Sequence, residues 1–180
     1  MASRRETARG VAWILIVLCA MAAPVGQTAV AESAPATEQV REVYFGETEE
    51  DVCQPGRQQF WMDEVRTLYV CIVWAGLSGT HAAQLRFLSP DGNLYQAMTL
   101  AFVTAAAPAT VATLEVEGRQ YPVKRAGWGN KGETLLVAAL PVAGTYITQH
   151  SLAGEWKIEI SLDGSPVDQD RFVLRERKER

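Results

Sequence analysis

Residues 154–162 read Gly-Glu-Trp-Lys-Ile-Glu-Ile-Ser-Leu, with Trp156, Ile158, Ile160 and Leu162 at every second position. Glu155, Lys157, Glu159 and Ser161 stand between them. A period of two places the four apolar groups on one face of a β-strand, whereas a helix would scatter them around its axis. Asp163-Gly164 follows, a pair that starts a tight turn because both residues tolerate positive φ. Pro166 stiffens the exit, and Phe172 and Leu174 resume the inward alternation. The segment is a half-buried antiparallel hairpin.

The same logic reads the rest of the chain. Residues 66–74, Arg-Thr-Leu-Tyr-Val-Cys-Ile-Val-Trp, are almost continuously apolar and rich in β-branched and aromatic side chains. That composition predicts a central strand covered on both faces. Leu68, Val70, Ile72 and Trp74 share one face, and Tyr69, Cys71 and Val73 the other. Residues 81–88 alternate, with Ala83, Leu85 and Phe87 inward and Gln84 and Arg86 outward. Pro90 and Gly92 set a turn, and residues 94–103 form the next strand. A hairpin around Gly118 sets Leu114 and Val116 against Tyr121 and Val123. Residues 126–133 read as a flexible loop. Strands follow over 134–140 and 142–150, and a short first strand covers 43–46. No helix is expected in this body. Eight or nine short strands with a turn every 8–12 residues define an all-β fold, a sandwich or barrel of antiparallel sheets.

The run "GEWKIEISLDG" followed by "FVL" resembles the last two strands of an immunoglobulin-like or fibronectin-like domain of the kind found in exported bacterial proteins. The resemblance extends from about Tyr44 to Leu174 and is one of architecture. It implies a single immunoglobulin-like antiparallel β-sandwich. The chain departs from true immunoglobulin domains because no Cys lies near Trp156–Leu162.

The first 31 residues carry a different message. Arg4, Arg5 and Arg9 precede an apolar run from Val11 to Ala23, Pro24 and Gly26 end it, and Ala29-Val30-Ala31 presents small residues. This is the three-part pattern of a secretory signal, with cleavage expected after Ala31. A membrane-spanning helix needs roughly 20 apolar residues, more than this run holds. The expected organisation is a signal peptide over 1–31, a polar Ala/Pro-bearing linker over 32–42, a β-sandwich over 43–175 and a charged tail over 176–180. The expected location is the periplasm or the extracellular space.

Export leaves two cysteines, Cys53 and Cys71, since Cys19 belongs to the signal. In an oxidising compartment two cysteines favour one disulfide, here pinning an amino-terminal loop to the central strand. The alternative is a pair of buried thiols. Without the signal the chain holds 14 basic and 20 acidic residues, a net charge of −6. Nucleic acids and anionic membranes are bound through clustered positive charge, so neither is an expected partner.

Chemistry-bearing residues are few. The two histidines, His81 and His150, each stand near a Ser, but no strand–turn–helix elbow surrounds either pair. A hydrolase would need one of them within hydrogen-bond reach of a Ser or a carboxylate in a cleft. No Cys-x-x-Cys or His-x-x-x-His occurs, so no zinc site is expected. Glu32 at the expected new terminus is not the His that copper-binding sandwiches use. Asp91-Gly92-Asn93 and Asp163-Gly164-Ser165 read as turns, and Glu47, Glu49, Glu50 and Asp51 as a solvated acidic loop. No cofactor is expected, and Phe60 and Trp61 read as core. Trp128 stands out, between Gly127 and Gly129 with Lys124, Arg125, Asn130 and Lys131 around it. It is either a partner contact, with Arg125 and Lys131 beside it, or a lid on the open end of the core. The expected function is non-catalytic: an exported module that binds another envelope or secreted protein or serves as part of the envelope's structure. A carbohydrate-binding or surface-assembly module is the alternative, and would place Trp61 and Trp128 on one exposed face.

Overall fold

The computed structural model describes residues 40–108 and 111–177. The secretory pattern, the linker up to residue 39 and the last three residues lie outside them. Twelve strands follow in chain order: β1 (Val40–Gly46), β2 (Gln59–Trp61), β3 (Thr67–Trp74), β4 (Thr80–Leu88), β5 (Leu94–Val103), β6 (Thr113–Val116), β7 (Arg119–Pro122), β8 (Lys124–Arg125), β9 (Gly127–Trp128), β10 (Thr134–Pro141), β11 (Gly154–Leu162) and β12 (Ser165–Arg175). One helical turn, α1 (Tyr146–Gln149), lies between β10 and β11.

One sheet runs β1-β3-β10-β9 and a second β2-β12-β11-β4-β5-β8, while β6 and β7 form a hairpin of their own. Pairing is antiparallel except β2 with β12 and β5 with β8. The core lies between the two larger sheets. Phe45, Leu68, Ile72, Trp74 and Leu140 enter it from the first, and Leu85, Phe87, Phe102, Trp156, Ile158 and Phe172 from the second. The architecture is a two-sheet sandwich, one of the two forms that the alternation allows, with the immunoglobulin-like arrangement that the resemblance implies.

The inward and outward assignments of β4 and β11 hold: Ala83, Leu85 and Phe87 and all four apolar residues of β11 are buried. Strand β3 is interior to its sheet, paired with β1 and β10. It is covered on both faces, because Cys71 and Val73 form a second apolar cluster with Val52 on the outer side. The Cys53–Cys71 disulfide joins the loop after β1 to β3.

Several details differ from the sequence reading. Strand β1 takes in Val40, Arg41 and Glu42, which composition assigns to the linker, because they extend the ladder with β3 as far as Trp74. The hairpin turn at Gly118 pairs Leu114 with Tyr121 but Val116 with Arg119. Its turn is Glu117-Gly118, both at positive φ, so Val123 falls beyond the ladder and bonds to Ala112 instead. Residues 142–150 are a turn and α1, where alternation predicts a strand. Thr145 caps that turn of helix, its hydroxyl accepting from the Ile147 amide, and Ile147 alone of the four helical residues is buried. The turn after β11 is Asp163-Gly164 alone, since Pro166 already pairs with Ser161. Arg177 is held by Glu64 and lies 3.6 Å from Asp63, so the start of the tail is tied down.

Candidate functional site

Residues 126–133 are more ordered than a flexible loop. Gly127 and Trp128 form β9, paired with Leu135 and Thr134 of β10, and the Gly129 amide donates to the Glu133 carbonyl at 2.9 Å. Asn130–Gly132 make a single 3₁₀ turn with Lys131 at φ 57°. Gly129 is required by space: a Cβ there would lie 2.9 Å from that of Glu133. Gly127 and Gly129 therefore belong to a short hairpin that presents Trp128, and they do not leave it unrestrained.

Trp128 is 61% exposed, so it is no lid on the core. It lines a groove of about 720 Å³ together with Tyr44, Cys53, Val73, Leu135 and Lys131. The groove extends over the outer face of the four-stranded sheet, the face that Val52 and the disulfide cover in part. Trp128 bounds it from the sheet's edge, since its ladder partner Thr134 stands opposite Trp74 on the core side. Its charged members are Arg41, Glu42, Glu50, Lys131 and Glu133. Arg41 and Glu133 form an ion pair, fixing one end of β1 against the start of β10.

Of the three residues expected at a binding surface, the fold brings Trp128 and Lys131 together and leaves Arg125 out. The Arg125 guanidinium donates to the carbonyls of Ala105 and Ala107, at 3.2 and 3.0 Å. It holds the loop after β5, and its place on β8, in the other sheet, is the reason. Tyr44 and Leu135 escaped the sequence reading. Their available signal was the apolar outer face of the central strand, which has to be covered by neighbours. Trp61 is half-buried in a separate pocket with Arg175 and Arg177. Those guanidiniums sit 6.0 and 5.5 Å from its ring. Phe60 is core, as expected.

The histidines do structural work. His81 Nδ1 lies 2.7 Å from an Asp163 carboxylate oxygen and Nε2 lies 3.1 Å from the Ser78 carbonyl. The other Asp163 oxygen accepts the Ala82 amide at 2.9 Å. The Asp163 carboxylate thereby ties the β11–β12 turn to the start of β4, and the Ser78 carbonyl faces the ring from the loop before that strand. The His150 ring packs on Tyr146, with centroids 3.7 Å apart. In the acidic loop Glu47 pairs with Arg57 at 2.7 Å. Among the described residues no three His, Cys, Asp or Glu side chains gather as a metal site would require.

Two carboxyls have displaced pKa values, and neither lines the groove. Hydrogen bonds from Ser89 and Asn93 lower that of Asp91, which closes the turn between β4 and β5. Burial raises that of Asp170 on β12, although the Arg171 amide opposes this and the nearby Asp168 charge adds to it.

No protein-family model matches the chain, and no curated protein does. Among solved structures it is similar to an immunoglobulin-like protein from Pseudomonas aeruginosa, at 14% identity over 78% of this chain and 99% of that one, with a TM-score of 0.40. It is also similar to the CARDB domain of a Pyrococcus furiosus protein, at 14% identity over 80% and 94%, TM-score 0.34. An alkylpurine DNA glycosylase from Pseudomonas fluorescens matches at 8% identity over 76% of this chain and 30% of that one, TM-score 0.40. At these levels the similarities carry no conclusion about function.

Proposed function

We propose that the chain is an exported, non-catalytic binding module that engages another envelope or secreted protein through the groove beside Trp128. The observation that carries this reading is an indole 61% exposed yet held on a strand next to a partly uncovered apolar face. Exposed aromatics held ready in this way are typical anchors of protein interfaces. The disulfide is consistent with an oxidising compartment. His81 does reach a carboxylate, that of Asp163, but the pair stands at the exposed β11–β12 turn and outside the groove. A sugar-binding face would be expected to align Trp61 with Trp128, and the two line separate pockets with no residue in common.

The test is Trp128→Ala. A partner is first captured from envelope extract, and its affinity for the wild-type and variant chains is then measured by calorimetry. Loss of an anchor costs about 2 kcal/mol or more, roughly 30-fold in affinity. The melting temperature should fall by a few degrees at most, since the greater part of the indole already faces solvent. An unchanged affinity would rule the groove out as the contact.

A further inference from the structure

Strand β12 is eleven residues long, but only Val173–Arg175 pair on its outer side, with β2. From Ser165 to Phe172 its ladder partner is β11. The backbone groups on the other side form an open sheet edge. Such an edge is a template for a further strand, and proteins protect it with prolines, bulges and inward-pointing charges. All three occur in this stretch. Pro166 offers no amide to a neighbour. The register slips between Ile160 and Ser161, a bulge that bends the strand. Asp168 and Asp170 stand directly opposite Ile160 and Ile158, both of which are buried in the core. Residues directly opposite one another share a face of the sheet. By register the two carboxylates thus lie on the core side at its solvent margin, Asp168 exposed and Asp170 partly buried, where the pattern of Phe172 and Leu174 would place apolar groups.

Neither carboxylate is paired with a cation among the described residues. Each accepts from the amide of the residue after it, Gln169 at 2.8 Å and Arg171 at 2.7 Å. Partial burial already disfavours the charge on Asp170. A second copy pairing antiparallel across this edge would set the Asp168 and Asp170 of one copy against those of the other. Directly opposed side chains lie about 5 Å apart, and like charges there are destabilising. We infer that Asp168 and Asp170 act as a charged guard that keeps the free half of β12 from pairing with a second copy of this chain.

The test compares the wild-type exported chain with D168V/D170V and D168K/D170K, by sedimentation velocity and by residue-resolved amide exchange. In the wild type, the amides of residues 165–171 that do not bond to β11 should show little protection, Gln169 and Arg171 donating only to the carboxylates beside them. D168V/D170V should associate as concentration rises, with those amides slowed at least tenfold. D168K/D170K should behave as the wild type alone, but a mixture of the two should associate, because opposite charges then face each other. The mixture also decides the matter should the valine variant fail to fold. The inference is overturned if the folded valine variant sediments as the wild type, if the lysine variant alone associates as readily, if the mixture stays unassociated, or if the wild-type edge amides are already protected.

Discussion

Trp156→Ala tests the packing logic at its strongest point. The indole is fully buried, stacks on Phe172 at 6.0 Å between centroids and meets Tyr95 edge-on at 5.3 Å. Its N–H donates to the Leu152 carbonyl at 3.0 Å. Truncating a buried Trp costs about 3–5 kcal/mol through lost transfer energy and the cavity left behind. The Leu152 carbonyl loses its donor as well, about 1 kcal/mol more, so the upper half of that range is expected. Trp156→Phe keeps a ring against Phe172 but not the N–H, and should cost about 1–2 kcal/mol. Glu155→Ala removes one exposed ion pair, 2.8 Å from Arg171, for at most about 1 kcal/mol. Urea titration of the three variants with a shared m-value measures all three costs. A domain of this size holds about 5–15 kcal/mol, so the alanine variant should lose roughly 10 °C or more in melting temperature. Equal losses for Trp156→Ala and Glu155→Ala would refute the assignment of the faces of β11. A phenylalanine variant as damaged as the alanine one would show that the hydrogen bond outweighs the packing.

Other expectations follow from single contacts. Replacing Cys53 and Cys71 with Ser opens a loop spanning a sequence separation of 18, and chain entropy puts the loss at about 3 kcal/mol; equal urea midpoints with and without the bridge would contradict this. Gly154→Ala should destabilise strongly, because a Cβ there would lie 2.8 Å from that of Pro90 and the backbone sits at φ 142°; an unchanged melting temperature would mean that the turn after β4 can move aside. Asp170 is predicted to weaken the fold once ionised. Its native pKa is raised, so the folded state binds the proton more tightly than the unfolded chain. The destabilisation is absent below the unfolded pKa and complete above the native one. Asp170→Asn should therefore be more stable than the wild type at pH 7, with the advantage shrinking as the pH falls towards 4. A pH-independent difference between the two would remove ionisation as the cause.

The faces of β3, β4 and β11 were legible in the chain because alternation is a local property. A side chain's inward or outward sense follows from its parity along the strand, whatever the strand pairs with. The disulfide was also legible, since the expected removal of a secretory signal would leave only Cys53 and Cys71 to pair. Local reasoning failed where the pattern was ambiguous or the partner distant. Residues 142–150 alternate acceptably, yet Thr145 caps a helical turn that plugs the end of the core with Ile147. Arg125 looked equivalent to Lys131 until β8 and β9 joined different sheets. That crossing sends one side chain to the carbonyls of the loop after β5 and the other to the groove. Trp128 could have been lid or contact from sequence, because its neighbours in space lie on β1, β3 and β10. Nothing along the chain orders those strands side by side. Their order is chosen by burial of the shared core, a free energy that exists only once the sheets have come together.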